Sequence, residues 1–304
     1  MATGSGRPRD LGTFHAMTMR ARSALPFLVL TFGFTWAVWF AAAALAQDRE
    51  GGLARGVSGP LFYLGVVAPA LVAAALTRSA SGREGVVRLI GEIGRWRVGL
   101  RWYLFALAYF ITIKLSAALV QRVATGDWPA FGETPVLLLF AGILTSTWVQ
   151  AGEEIGWRGY LLPQLARRVG LGAASIGLGI IWALWHLPLF YIDGSGSTGQ
   201  SFPLYTSHVT AVSVAMAWLY WRTGRSLLLV MVMHAAVNNT TSIVVSAVPG
   251  ASSVWTLNGS LVAWATVGLS WLIAFAMLWD MRGATLESVE VGAATATRGP
   301  ASQG

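Results

Sequence analysis

The chain has 304 residues, of which 55% are hydrophobic and only 11% are charged. Soluble globular proteins carry about 25% charged residues, so this composition argues against a soluble domain and indicates a membrane protein. The formal net charge is +8, but the arginines lie in short segments between apolar runs, which argues against a nucleic-acid-binding surface.

Apolar runs long enough to cross a membrane follow one another along the chain. They cover residues 25–46, 60–77, 102–121, 135–151, 172–192, 205–221, 226–246 and 260–279. About 20 residues let a helix span the hydrocarbon core of a bilayer, and a helix satisfies all of its backbone hydrogen bonds in lipid. We therefore predict an all-α, polytopic transmembrane bundle of about eight spans. Residues 25–281 would form a single membrane-embedded domain.

The segments on either side of this domain are polar. Residues 1–24 and 282–304 are predicted to be mobile cytoplasmic tails. The first apolar run ends in Ala44-Leu45-Ala46, which resembles a signal-peptidase site, so a cleaved signal peptide is an alternative interpretation. The run is longer than the roughly 7–15 apolar residues of a signal peptide, which favours a membrane span.

The arginine distribution predicts the orientation in the membrane. With the N-terminus inside and eight spans, the cytoplasmic segments hold 17 arginines and the outer segments hold 3. This asymmetry follows the positive-inside rule and places both termini in the cytoplasm, with the cell (plasma) membrane as the expected location. Between the second and third runs, the Arg-rich segment 83–101 also contains Trp96 and predicts an amphipathic helix in the interface.

The fourth run continues in helix-compatible sequence to about Ala166 and carries two adjacent carboxylates. Glu154 precedes Arg158 by four residues, which is the favourable order for an ion pair on one helix face. Adjacent residues of a helix point about 100° apart, so Glu153 is free for another role. The alternative interpretation is an ordinary charged helix end near the cytoplasm.

Two later runs place a histidine among apolar residues. His186 follows Trp182 by four residues in the fifth run, and His234 precedes Asn238 by four residues in the seventh. Each pair therefore shares one helix face. Polar side chains inside spans are functional candidates, although they can also serve only as hydrogen bonds between packed helices.

Two further polar residues receive structural interpretations. His208 lies at the outer start of the sixth run and is interpreted as an interfacial residue, with a role in a second polar site as the alternative interpretation. Lys114 lies in the middle of the third run, where it would snorkel or pair within the bundle.

The spacing of the histidines and carboxylates predicts a common site. The fourth and fifth runs should form an antiparallel hairpin that turns near Gly170. Glu153 lies 17 residues before this turn and His186 lies 16 after it, so both are about 25 Å from it at 1.5 Å per residue. His234 reaches the same level if the hairpin protrudes into the cytoplasm. We expect one intramembrane pocket that opens toward the cytoplasm.

Such a pocket has the donors of a zinc site. Because the chain has no cysteine, any metal must use other ligands, and Glu153, His186 and His234 would supply them, with Asn238 as a further polar partner. A metal ion lowers the pKa of its bound water, and a glutamate base would complete a peptide hydrolase. Built in a membrane, such a site gains access to substrates whose cleavage site is anchored in lipid.

Together the three motifs resemble those of a known family. The order Glu-Glu-x-x-x-Arg, aromatic-x-x-x-His and His-x-x-x-Asn on successive late spans is similar to the CAAX-protease and bacteriocin-processing (CPBP, or Abi) family. This family comprises the type II CAAX prenyl endopeptidases and their bacterial relatives. The resemblance covers about residues 134–246 and implies eight spans. The aromatic residue is usually Phe in the family and is Trp182 here.

The resemblance implies an intramembrane endopeptidase whose partners are the lipid bilayer and a peptide or lipid-modified protein substrate. Glu153 would activate the attacking water, with the second glutamate and the arginine as its supporting pair. The two histidines would be catalytic or metal-binding, and the asparagine would stabilise the developing oxyanion or orient a ligand. The residues to which these roles are carried over are Glu153, Glu154, Arg158, His186, His234 and Asn238. The resemblance leaves open whether zinc takes part.

Two other function classes remain open from the sequence. A non-catalytic protein of the same fold, such as a bacteriocin-immunity or anchoring factor, predicts a broken motif, whereas all six motif residues are present. A transporter would favour inverted repeats or interrupted spans in matching halves. Pro188 interrupts the fifth run, but no matching half is visible.

Overall fold

The structure is a computed structural model that describes residues 24–47, 52–192, 195, 197, 199–246 and 253–284. Among these residues no β-strand forms, and one isolated antiparallel bridge joins Phe131 to Val244. The all-α prediction is confirmed. The predicted tails lie outside the described residues, except for Ala24 and 282–284 at their inner ends.

Each apolar run of the sequence corresponds to a helix among the described residues. The helices are α1 (Ala24–Gln47), α2 (Gly52–Gly91), α3 (Leu100–Thr125), α4 (Val136–Val169), α5 (Leu171–Trp185), α6 (Phe202–Arg222), α7 (Leu227–Thr240) and α8 (Leu261–Asp280). The helices α1, α2, α3, α4 and α8 contain stretches long and apolar enough to cross a membrane, while α5 and α7 are shorter apolar helices. A polytopic helical membrane protein is therefore confirmed, and the number of eight spans stays a prediction.

The interfacial helix predicted over 83–101 is shorter than expected. The chain breaks inside α2 at Gly82, whose φ of 65° is a left-handed conformation that favours glycine. After this break the helix ends at Gly91, a 3₁₀ turn follows at Glu92–Gly94, and the chain is non-helical up to Gly99. Glycine is among the weakest helix formers, so the glycines at 91, 94 and 99 explain why no continuous helix forms.

Helix α4 is long, as predicted, but its backbone is irregular. It is α-helical over Val136–Ser146, and its stretch from Ile155 to Leu161 is a π-helix that begins directly after Glu154. π-Helical turns are rare and occur frequently at functional sites. The helix ends at Gly170, whose φ of 79° reverses the chain into α5. The predicted hairpin turn is therefore confirmed.

Two glycines bring α4 into close contact with α2. A Cβ atom at Gly156 would lie 2.7 Å from the carbonyl carbon of Pro69, and one at Gly152 would lie 2.9 Å from the Cα of Val67. This spacing of small residues allows two helix backbones to approach within a membrane. The contact fixes the part of α4 that carries Glu153.

One end of the bundle, which we call the Arg-rich end, contains the turn regions 92–99, 167–170 and 222–226. There the Arg225 guanidinium pairs with Glu92 at 2.5 Å, and the Tyr220 hydroxyl donates to the same carboxylate at 2.5 Å. The Ser226 hydroxyl donates to the carbonyl oxygen of Arg95 at 2.6 Å. These bonds tie the start of α7 to the segment between α2 and α3.

Candidate active site

The carboxylate of Glu153 is held at a defined position between helices. The side chain is 5% exposed, and the indole Nε1 of Trp182 on α5 donates to its Oε2 at 2.8 Å. No other described residue makes a hydrogen bond to this carboxylate, so the second oxygen is free for a water or a substrate. The sequence indicated Trp182 only as the aromatic residue of a motif, and a phenylalanine there has no such donor.

Behind Glu153 lies the ion pair that the sequence predicts between Glu154 and Arg158. One guanidinium nitrogen lies 2.8 and 3.0 Å from the two Glu154 oxygens, and both side chains are 0% exposed. The guanidinium also lies over the Trp182 ring at 4.3 Å from its centroid. The alternative of a solvated helix end is therefore wrong, because both charges are buried within the bundle.

Both motif histidines are hydrogen-bonded through Nδ1. His234 Nδ1 contacts Glu154 Oε1 at 2.7 Å, and His186 Nδ1 contacts the carbonyl oxygen of Trp182 at 2.9 Å. Carboxylate and carbonyl oxygens only accept, so each Nδ1 carries the proton. In the neutral imidazoles each Nε2 then carries a lone pair.

His186 lies at the C-terminal boundary of α5, although the apolar run extends to residue 192. The helix ends at Trp185, and the 3₁₀ turn Leu187–Phe190 follows. Pro188 lacks a backbone N–H, so it cannot continue the hydrogen-bonding pattern of an α-helix. The Trp36 indole donates to the carbonyl oxygen of Trp185 at 3.0 Å and so caps one of the last carbonyls of α5.

A cavity of about 520 Å³ brings the motif residues together. Glu153, His186, His234 and Asn238 all line it, so the predicted common pocket is confirmed. The buried pair behind Glu153 does not line it. A pocket of this size is typical of small-molecule and peptide-sized ligand sites.

The cavity opens at the end of the bundle opposite the Arg-rich end. Its described lining includes the loop residues 199–201, the segment 241–246 after α7, and Asn258 and Gly259 before α8. None of its described lining residues comes from the turns of the Arg-rich end. The arginine count predicts that the Arg-rich end lies in the cytoplasm, whereas the sequence also predicts a pocket that opens toward the cytoplasm. The two predictions do not hold together, and each by itself stays a prediction.

The cavity also contains two polar residues that the sequence interpretation set aside. His208 lines it from α6 rather than lying at an interface, and its ring lies 5.2 Å from that of Phe110. Lys114 lines it from α3, is 1% exposed, and donates to the hydroxyl of Ser246 at 3.0 Å. Their type and position inside apolar runs were the only signals in the sequence.

The motif side chains meet only part of what the predicted zinc site requires. Each motif histidine donates Nδ1–H to an oxygen, which is how metal-binding imidazoles are usually oriented. However, the described residues contain no group of three or more His, Asp or Glu side chains that could hold one metal ion. The donor set therefore does not fit a three-ligand zinc site as the side chains stand.

Comparisons with known proteins agree with the motif resemblance. Residues 134–240 match the family model "Type II CAAX prenyl endopeptidase Rce1-like", and this range contains all six motif residues. The chain is also similar to "CAAX prenyl protease 2" of Methanococcus maripaludis, with 24% identity over 229 residues, which cover 70% of this chain and 81% of that protein.

Proposed function

We propose that this chain, which resembles the Rce1-like type II CAAX prenyl endopeptidases over residues 134–240, is an intramembrane endopeptidase in which Glu153 activates the attacking water. One observation carries the proposal. Four polar motif residues from three helices line a single cavity, and the Trp182 indole holds the Glu153 carboxylate at its wall. The family suggests the protease activity, and the assignment of the water-activating group is our inference.

The proposed reaction begins with a water held between Glu153 and a histidine Nε2. The free carboxylate oxygen takes one proton while the water oxygen attacks the carbonyl carbon of the scissile peptide bond. The tetrahedral intermediate carries its negative charge on the former carbonyl oxygen. The side-chain amide of Asn238, which makes no hydrogen bond to a described residue, is the proposed donor to that oxygen. Glu153 then passes its proton to the departing amine nitrogen as the C–N bond breaks.

The buried ion pair acts through His234 rather than on the substrate. Glu154 accepts the Nδ1–H of this imidazole, which fixes the tautomer and the orientation of the ring. Arg158 neutralises the carboxylate that does so. We therefore assign positioning roles to Glu154 and Arg158.

The proposed substrate is a peptide segment attached to a lipid anchor. The name of the archaeal relative and the family model both refer to prenyl proteins, and a CAAX protease family implies a prenylated protein substrate in a membrane. The cavity is partly apolar, because Val209, Val212 and Val267 line it together with the polar residues. A location in the plasma membrane with cytoplasmic termini stays a prediction.

Zinc assistance also stays a prediction of the sequence. Glu153, His186 and His234 are the residues that would hold the ion, and it would supply Lewis-acid activation of a water. We derive no step through it because the donors do not converge. Metal analysis of the purified protein and activity after chelation test it directly.

The experiment that tests the proposal is cleavage of a quenched peptide panel, with and without a prenyl group, by the purified protein in lipid. Glu153→Gln keeps the size of the side chain and removes the base, so cleavage should fall by about 10²–10⁴-fold. Glu84→Gln is the matched control, because it makes the same substitution at an exposed side chain. Cleavage by Glu153→Gln within twofold of the parent protein, with unchanged thermal unfolding, would contradict the proposal.

A further inference from the structure

A second polar cluster lies in the cavity, away from the motif residues. Its members are Lys114 on α3 and His208 on α6. The lysine ammonium is bonded to the hydroxyl of Ser246, and no carboxylate of the described residues pairs with it. His208 makes no hydrogen bond to a described residue, and its Nδ1 is buried without a partner.

Neither the Lys114 amine nor the His208 imidazole has an anionic partner among the described residues. A buried cation is costly unless it is paired, and cationic residues within membrane spans usually mark a ligand pathway. The His208 ring lies 5.2 Å from that of Phe110, which is four residues before Lys114 on the same face of α3. Both polar side chains line the cavity, and N–H donors of this kind recognise a carboxylate.

Ring contacts and helix geometry relate this cluster to the proposed reaction centre. The ring of Tyr205 lies 5.8 Å from that of His186. His208 follows Tyr205 by three residues on the same face of α6, which is about 4.5 Å further along the helix. The cluster and the motif residues therefore line neighbouring parts of one cavity, and a few residues of extended peptide, at about 3.3–3.6 Å each, can join them.

We propose that Lys114 and His208 form a subsite for the free α-carboxylate at the C-terminus of the peptide substrate. The proposal rests on the proposed endopeptidase function and adds a specificity determinant to it. With its carboxylate held there, the peptide places a bond a few residues from its end at Glu153. The valines that line the cavity lie beside this part of the peptide and accept apolar side chains.

The test compares two peptides that differ only at the terminus, one with a free carboxylate and one with an amide. Both are offered to the full-length protein in neutral phosphatidylcholine vesicles. Hydrogen bonds to a charged partner contribute about 1.5–3 kcal/mol, so the acid should be cleaved with a kcat/KM about 10-fold to 100-fold higher than the amide. In Lys114→Met this preference should fall to near one. The expected result in Lys114→Arg, which keeps the charge, is a partial preference.

Arg222→Met is the matched control. It removes one positive charge too, but from an exposed pair with Asp280 at 2.9 Å, and it should keep the preference of the parent protein. Equal cleavage of acid and amide by the parent protein would overturn the subsite and leave the protease function standing. Loss of cleavage of both peptides to the same extent in Lys114→Met would also overturn it.

A binding assay tests the subsite independently of peptide cleavage. Fluorescent forms of the two peptides are titrated against Glu153→Gln and against Glu153→Gln combined with Lys114→Met. A tighter Kd for the acid in the first variant, lost in the second, supports the subsite even if the parent protein cleaves neither peptide and the proposed function fails. The same Kd for both peptides in both variants refutes it.

Discussion

Replacing Arg158 with methionine tests whether the buried ion pair supports the fold. Methionine keeps an unbranched side chain and removes the charge, leaving the Glu154 carboxylate with only the His234 Nδ1–H as partner. At 2.8 Å and an effective dielectric constant of about 20, Coulomb's law gives about 6 kcal/mol of attraction between the two charges. Part of this offsets their desolvation, and the loss of one partner of a buried pair typically costs about 3–5 kcal/mol.

The assay is equilibrium unfolding of the purified protein in mixed micelles with an increasing fraction of denaturing detergent. We expect Arg158→Met to lower the free energy of unfolding by about 3–5 kcal/mol. Arg222→Met is the control, because its pair with Asp280 has a similar length of 2.9 Å but exposures of 42% and 38%. An exposed pair contributes about 0–1 kcal/mol, so the difference between the two variants measures the effect of burial.

A second variant tests whether the loss of stability comes from the unpaired charge rather than from the changed shape of the side chain. Glu154→Gln combined with Arg158→Met leaves no unpaired charge, so it should be more stable than Arg158→Met by at least about 1 kcal/mol. Two results would refute the reasoning. One is an Arg158→Met protein that unfolds like the Arg222→Met control, and the other is a double variant that is less stable than Arg158→Met.

Further predictions concern packing, the indole donor, the metal and the topology. Gly156→Ala should cost about 1–3 kcal/mol of unfolding free energy, because its Cβ would meet the backbone of Pro69 on α2. Gly177→Ala, with no atom within 4 Å of its Cβ, should be neutral or stabilising. A larger loss of stability in Gly177→Ala than in Gly156→Ala would refute the contact. Trp182→Phe keeps an aromatic ring but removes the N–H that binds Glu153, so kcat should fall roughly tenfold and the unfolding free energy by about 1–3 kcal/mol. An unchanged kcat would show that the bond does not orient the base. Chelation followed by metal analysis should leave activity intact if the reaction is metal-free, whereas loss that Zn²⁺ restores would establish a metalloprotease. Reporter fusions at Gly170 should read as cytoplasmic and fusions at Gly199 as external, and the opposite result at both sites would reverse the predicted orientation.

Helix content was predictable because apolar length is a strong signal in membranes. Only a helix satisfies its own backbone groups in lipid, so every apolar run had to become one. Helix ends were less predictable because hydropathy does not report them. The fifth run stays apolar to residue 192, but α5 ends at Trp185, three residues before Pro188. Similarly, arginines predicted an amphipathic helix over 83–101, but the local glycines limit its length.

The candidate site was predictable in its members but not in its bonds. Counting residues from the Gly170 turn was enough to expect Glu153 and His186 at one depth, because both helices rise by the same amount per residue. The bond from Trp182 to Glu153 depends on how α4 and α5 are rotated about their axes. Helix rotation depends on packing, here on the glycine contact with α2, and single-chain periodicity does not encode it.

The same limit explains why the sequence indicated a second polar site only as an alternative for His208 and did not link it to Lys114. Lys114 and His208 are far apart in sequence and sit alone in their spans, so no motif links them. Only the packing of α3 beside α6 brings them to one cavity wall. A lone polar residue in a span is therefore better judged by what it faces than by its neighbours in the chain.

The cavity and the arginines lie at opposite ends of the bundle, and this couples the orientation of the protein to the location of its substrate. If the arginine-bearing turns lie in the cytoplasm, as the positive-inside rule predicts, the segments 199–201 and 241–246 that line the opening face the other side. A substrate anchored in the cytoplasmic leaflet would then have to reach the cavity sideways between helices. If the orientation is reversed, the opening faces the cytoplasm and the arginine asymmetry must have another cause. One such cause is the bonding at the Arg-rich end, where the Arg95 guanidinium donates to the carbonyl oxygen of Gly224 and Arg225 pairs with Glu92. The fusion at Gly199 therefore determines both the topology and the side from which a peptide enters.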